Sequence, residues 1–448
     1  MKERLEIRSL SDLDRFLDIS SPHEPEFQQA VKEVAKSVIP LLKDNDAWSR
    51  ARVLERLIEP DRIISFQVAW EDDDQCLRIN RGYRVQTNNA VGPYKGGLRF
   101  HPSVSQSVLK FLGFEQIFKN SLTGLPLGAG KGGADFDPST CSDREVMRFC
   151  RAYMAELVRH IGEHTDVPAG DIGVGAREIG YLYGAFVRLQ NRNEGSLTGK
   201  GASYGGSPLR PEATGYGVVY FAQSVLAHDS DEIKDKVCAI SGAGNVALHC
   251  ADKLIQADAK VVSLSDSGGT LYAKDGFSQE RVQAIRRAKE ERRVRLAELA
   301  AKNEEFLEER TPWEIECDLA LPCATQNELG EEDADRLVAN GCAYVVEGAN
   351  MPVTAEAYSR FEQASVTHLP GKAANAGGVA VSGFEMAQNR TGKPWTREQV
   401  DKSLREVMKH IHSECVRCGE ADGGIDYGKG ANVAGFERVA AAMLAQGF

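Results

Sequence analysis

The turn Gly242-Ala243-Gly244-Asn245-Val246-Ala247 limits what this chain can fold into more than any other stretch. A β-branched, apolar run, KVCAI, enters it, and the segment ALHCADKL leaves it with helical spacing of its apolar residues. A second strand-like run, KVVSLSDS, follows and carries Asp266. Strand, glycine turn and helix in that order bring a dinucleotide pyrophosphate to a helix N-terminus, with Gly242 permitting the tight turn and Gly244 the close approach of the backbone. Alternation continues through a charged helix from Ser278 to Lys302, then CDLALPCA, CAYVVEGAN and a run near Val366, which predicts a parallel, doubly wound sheet. Ala324, Thr325 and Asn350 fall at the carboxyl ends of its strands, where such sheets bind ligands. Thr214 at a helix start, Ser241 just before the glycines, and Asn245 and Val246 just after them complete the candidate cofactor contacts.

A chain of 448 residues is too long for one ordinary core and predicts two domains with a cleft between them. A net charge of −11 disfavours nucleic acid and anionic membranes as partners and leaves small molecules. The basic cluster Arg286, Arg287, Lys289, Arg292 and Arg293 is interleaved with Glu290, Glu291 and Glu298 and reads as a solvated helix face. The start, MKERLEIRSLSDL, alternates charged and apolar residues, and no apolar run is long enough to span a bilayer, so the expectation is a soluble cytoplasmic protein. Ten scattered cysteines imply no disulfide framework. Cys415 and Cys418, with His410 and His412, lack a second ligand cluster, so no metal is expected.

The N-terminal half carries a different chemistry. PEFQQAVKEVAKSVIPLL predicts an amphipathic helix stopping near Pro40, and Arg62 to Val85 predicts a hairpin around the acidic turn Asp72–Asp74. VGPYKGGLRFHP reads as a loop in which Lys95 and the amides of Gly96 and Gly97 suit an anion. A helix from Ser103 to Asn120, with Ser103 and Gln106 at capping-box spacing, projects Gln116 and Lys119 from one side. LPLGAGKGG reads as a glycine-flanked loop presenting Lys131, and DVPAGDIGVG delivers Asp171 on another restricted loop, as a turn cap or as a functional carboxylate. LTGKGASYGGSPLR reads as a connector and hinge.

Together these stretches resemble the hexameric glutamate dehydrogenases of the Glu/Leu/Phe/Val dehydrogenase family, from about Asp44 to the C-terminus. The resemblance implies an α/β chain of two domains. An N-terminal substrate-binding and oligomerisation domain covers 1–205 and takes back 376–448, and a Rossmann-like domain covers 206–375. It implies reversible oxidative deamination of L-glutamate to 2-oxoglutarate and ammonium, run in the ammonia-assimilating direction by a homohexamer. Lys131 and Asp171 match the family's catalytic pair. Lys95 and Ser382 would hold the side-chain carboxylate, and Lys119 and Gln116 the α-carboxylate beside Gly96 and Gly97. Crowded cations and desolvation should lower the pKa of Lys131. Gly128-Ala129-Gly130 departs from the family's two adjacent glycines. Asp266 argues for NAD, whereas Ser241, SDSGGT and a cation at Lys289 or Arg292 for a 2′-phosphate argue for NADP, which is the expectation. The alternatives are an NAD-dependent enzyme, an amino-acid dehydrogenase of other specificity, and a non-catalytic nucleotide-binding oligomer.

Overall fold

The computed structural model describes residues 6–292, 294–421 and 424–447, apart from the side chains of Glu290 and Arg292. The chain divides into two compact units. One comprises Met1–Arg210, Val381–Val400 and Asn432–Phe448, the other Pro211–Ala380 and Asp401–Ala431. Residues 376–448 therefore do not all return to the first unit, because the segment Asp401–Ala431 packs within the second.

The first unit is built on a five-stranded sheet. Its strands are β1 (Arg62–Glu71), β2 (Leu77–Asn88), β3 (Tyr94–Phe100), β4 (Ala129–Ala134) and β5 (Asp166–Gly170), in the order β1-β2-β4-β3-β5. β1 and β2 form the expected hairpin, whose turn is closed by Asp72 Oδ1 accepting from the amides of Asp74 at 3.0 Å and Cys76 at 2.8 Å. The stretches read as loops around Lys95 and Lys131 are instead strands β3 and β4. Their glycines do not supply flexible turns; they let strands close up laterally. A Cβ on Gly96 would lie 1.7 Å from the Gly130 carbonyl oxygen, and one on Gly97 would lie 2.8 Å from Asp171 Cβ. Ala129 is accommodated in β4 opposite Asn88, next to a register shift between Gln86 and Asn88.

Helices Asp143–Leu157 and Ala176–Gln190 share an aromatic core with the sheet, in which Phe136 stacks on Phe149 at 3.7 Å and Trp70 and Phe100 meet them edge-on. Helix Gln106–Leu122 packs against β2 and β4. It comes so close that a Cβ on Gly113 would lie 2.7 Å from Thr87 Oγ1. Its cap is Ser105, accepting from the Val108 amide at 3.3 Å, and not Ser103. The amphipathic helix runs from Pro25 to Asp44 and does not stop at Pro40. Pro40, which has no N–H to offer the Lys36 carbonyl, is exposed like Lys36, while buried Ile39 and Leu42 hold the last turn.

The second unit is a seven-stranded sheet ordered β12-β11-β10-β6-β7-β8-β9, with β6 (Val237–Ile240), β7 (Lys260–Asp266), β8 (Gly269–Tyr272), β9 (Glu305–Glu308), β10 (Leu319–Leu321), β11 (Tyr344–Val346) and β12 (Thr367–Leu369). Five strands are parallel, but β8 and β9 are antiparallel, so the sheet is mixed and not wholly parallel as expected. The charged helix ends at Arg292, well before Lys302, because the chain turns back where buried Leu296 donates its amide to Asp266 Oδ2 at 2.9 Å, and then forms β9. Strand order reverses between β6 and β10, and the glycine turn follows β6 at that point, where open α/β sheets bind ligands. No helix among the described residues is long and apolar enough to cross a membrane.

One buried ion pair joins β2 to β5. Arg84 Nε donates to Asp166 Oδ2 at 2.8 Å, Gln86 Nε2 donates to the same oxygen at 3.0 Å, and Arg84 Nη1 reaches the Gly96 carbonyl at 3.2 Å. Both charged side chains are fully buried. Arg84→Met leaves Asp166 charged and without its cation; it should lower the free energy of unfolding by about 3–5 kcal/mol, read from urea denaturation.

Candidate active site

Strand register assembles the catalytic candidates. Leu98 pairs with Gly132 on β4 and with Gly170 on β5, so one step back Gly97 is level with Lys131, and one step on Arg99 is level with Asp171. Gly97 therefore leaves an opening across β3 between a lysine on one neighbouring strand and an aspartate beyond the other. Through it Lys131 Nζ comes within 3.2 Å of Asp171 Oδ2. Arg99 Nε donates to that same oxygen at 2.8 Å. Lys131 is 4% exposed. Burial lowers its pKa against the opposing pull of Asp171, and Arg99 and Arg84 lower it further. Burial would raise the Asp171 pKa, but Lys131 and Arg99 outweigh it and hold the carboxyl well below its usual range. Lys119, half-buried on the helix above, is pushed down to about 8 by burial and by the Lys131 charge.

The second group surrounds Lys95, two residues before Gly97 on the same strand and fully buried. Its ammonium donates to Thr198 Oγ1 at 2.8 Å. Burial, with the charges of Arg210 and Arg84, pushes its pKa well down. Arg210 Nε donates to Ser382 Oγ at 3.0 Å, and the Arg210 charge is felt by both Lys95 and Lys119, which makes the two groups neighbours. Gln116 Nε2 donates to Asn120 Oδ1 at 2.6 Å, and Asn120 Nδ2 ties down the Lys95 carbonyl at 3.0 Å. A buried pair, Lys200 and Glu385 at 2.7 Å, fixes the connector, with Glu385 Oε2 accepting from the Gly199 amide at 2.9 Å.

In the second unit Gly242 has φ +85° and Gly244 caps the helix Asn245–Gln256. A Cβ on Gly244 would meet nothing within 4 Å, so the helix N-terminus is open to a ligand's approach. Val246 is half-buried, Thr214 is the second residue of helix Ala213–His228, and Asn245 Nδ2 donates to the Pro211 carbonyl at 2.6 Å. Ala324 and Thr325 are exposed after β10, with both amides donating to Glu328 Oε1 at 2.9 and 3.2 Å. Asn350 Oδ1 accepts from Asn375 Nδ2 at 3.2 Å. Ser241 is buried and its hydroxyl accepts from the Cys323 amide at 2.9 Å, so it packs the turn against the β10 loop. Asp266 accepts from the Gly268 amide at 3.0 Å and the Leu296 amide at 2.9 Å, and lies 3.5 Å from Lys289 Nζ. Arg295 donates to Ser267 beside it. The side chain of Arg292 lies outside the described residues.

Comparison with known proteins accounts for both units. The model of the Glutamate/Leucine/Phenylalanine/Valine dehydrogenase family matches residues 205–447, and that of the Glu/Leu/Phe/Val dehydrogenase dimerisation domain matches residues 60–188. The chain belongs to this family. It is similar to the NADP-specific glutamate dehydrogenase of Haemophilus influenzae, at 53% identity over 98% of this chain and 99% of that protein. The NADP-specific glutamate dehydrogenase of Escherichia coli K12 is 51% identical over 95% of this chain and 96% of its own. The crystal structure of Plasmodium falciparum glutamate dehydrogenase superposes with a TM-score of 0.94 at 48% identity, covering 97% of this chain and 94% of that one.

Within this Glu/Leu/Phe/Val dehydrogenase chain, sequence reasoning passed over Arg99, Thr198, Arg210, Ser267 and Arg295. Arg99 carries a readable signal, since in a strand Lys95, Gly97 and Arg99 share a face, and reading the stretch as a loop hides that alternation. Thr198 and Arg210 sit in a segment whose glycines and serines signalled only a connector. The lowered lysine is open to direct measurement. Lys119 should be acylated by an amine-selective reagent with a rate inflecting near pH 8, against the ordinary 10.5, as read by peptide mass mapping across pH.

Proposed function

We propose that the chain is a glutamate dehydrogenase that interconverts L-glutamate with 2-oxoglutarate and ammonium, using NADP. The observation that carries this reading is the grouping of Lys95, Thr198, Arg210 and Ser382 beside a second group of Lys119, Lys131 and Asp171. A buried lysine, an arginine and two hydroxyls suit a carboxylate that would otherwise be costly to bury, so a dicarboxylic amino acid fits and an apolar side chain does not. Lys119 then meets the α-carboxylate. Gln116 orders Asn120 with one amide hydrogen and supports that strand end, and its second amide hydrogen serves the same carboxylate.

In the deamination direction Lys131, whose proton is easier to lose than an ordinary lysine's, accepts a proton from the water that attacks the imine carbon, and its ammonium faces the oxyanion that develops. Asp171, held ionised, exchanges protons with the substrate nitrogen. Bound at the glycine turn, the nicotinamide would supply the hydride acceptor for the glutamate Cα and, reduced, the hydride donor for the imine. The turn fits a dinucleotide: Gly242 adopts positive φ and the space over Gly244 is open. Asp266 has its charge shared among two amides and Lys289, so it opposes an added phosphate less than a free carboxylate would, and Lys289 and the Arg295–Ser267 pair supply partners for the 2′-phosphate. Asp266 remains the one feature that favours NAD. Our reading includes a homohexamer working in the cytoplasm towards ammonia assimilation; a light-scattering mass of six chains tests the assembly.

The test is loss of nicotinamide absorbance with 2-oxoglutarate and ammonium, in parallel with NADPH and NADH. Loss of NADPH signal that needs all three components, with little loss of NADH, is the expected outcome. Silence with both sinks the enzyme reading, and equal rates sink the cofactor preference. Lys289→Gln should raise the KM for NADPH about tenfold and leave that for NADH within about twofold.

A further inference from the structure

Asp171 makes its described polar side-chain contacts through one oxygen. Lys131 Nζ at 3.2 Å and Arg99 Nε at 2.8 Å both meet Oδ2. Arg99 is the closer of the two cations, and it reaches Asp171 from the neighbouring strand, one register step beyond the Leu98–Gly170 pair. We propose that Arg99 is a positioning residue for the Lys131–Asp171 pair, which anchors the carboxylate by Oδ2, turns Oδ1 to the substrate nitrogen and draws negative charge away from Lys131. This rests on the glutamate dehydrogenase reading and goes beyond it, because Arg99 contacts neither substrate nor cofactor in the mechanism above.

If Lys131 were the only cation at Asp171, the two would form a tight pair, and a lysine so paired releases its proton late. A second, permanently charged donor on the same oxygen weakens that hold, since a guanidinium stays protonated at any working pH. The charged groups that act on Lys131 are Arg99 from β3, Arg84 from β2 and Asp171 from beyond β5, while helix Gln106–Leu122 brings Lys119, which feels the Lys131 charge and that of Glu115 on its own helix. Asp171 is the acid in the Lys131 set, and among the described residues it is the one that pairs with Lys131 directly. Gly97 fixes the geometry, because its absent side chain is what admits the Asp171 Cβ.

The experiment is the pH dependence of kcat/KM for glutamate oxidation in the full-length protein, for the unaltered chain, Arg99→Gln and Arg99→Lys. Oxidation needs Lys131 unprotonated, so the rate falls on the acid side as pH drops through the Lys131 pKa. Removing the Arg99 charge should raise that pKa, moving the acid limb of Arg99→Gln upward by about one unit or more, a tenfold loss at fixed acidic pH. Arg99→Lys keeps a cation and should hold the limb within about a third of a unit. A lower kcat in Arg99→Gln with an unmoved limb overturns the proposal. So does loss of folding in both variants, which would assign Arg99 to the fold alone. An inactive unaltered chain would instead overturn the glutamate dehydrogenase reading.

Discussion

The candidate site depends on side chains that are missing. Gly96, Gly97 and Gly113 stand where β3 meets β4, where β3 meets the end of β5, and where helix Gln106–Leu122 meets β2, at distances that no Cβ would tolerate. Each glycine costs conformational entropy in a strand or helix, about 0.5–1 kcal/mol relative to alanine, and β-branched residues would hold these elements better. The close approach is what that cost makes possible. Across Gly97 a lysine on one strand reaches an aspartate beyond another, and against Gly113 the helix that carries Lys119 settles over Lys131.

Closeness of that kind gathers like charges, and the structure manages the repulsion unevenly. Two unit charges 4 Å apart at an effective dielectric of 20 interact by about 4 kcal/mol, enough to move a pKa by several units. Asp171 absorbs part of this for Lys131, and Glu385 does so at longer range for Lys95. Burial first, and then the repulsion that is not absorbed, leaves three lysines that lose protons more readily than usual. Arg84 contributes to that field while its own charge is matched by Asp166 in the sheet interior, so the pair that ties β2 to β5 also tunes the site.

The second unit solves a different problem with short strands. β10, β11 and β12 are three residues each, yet they place Ala324, Thr325 and Asn350 at their ends beside the glycine turn. Asp266 acts there as a joint. By accepting amides from both Gly268 and Leu296 it fastens the end of β7 to the segment that follows the charged helix, which brings Lys289 and Arg295 to the same corner.

Local chemistry made much of this readable from the chain. The glycine turn and the hairpin around Asp72 follow from residue types at short spacing, because each depends on neighbours close in sequence, and the resemblance to the family singles out Lys95, Lys119, Lys131, Asp171 and Ser382 as candidates. Glycine misled where its local and tertiary meanings differ. The same residue that frees a turn also lets two backbones touch, and only the register of β3 with β4 and β5 decides which use is made of it. Pairings between residues 72 apart, such as Arg99 with Asp171, or 172 apart, such as Arg210 with Ser382, leave no periodic trace in the sequence. The sequence by itself determined which reactive groups the chain owns and that a dinucleotide turn lies among its strands. The tertiary structure alone decided which cation shares which carboxylate, because that depends on long-range strand order and on the space glycines leave between strands.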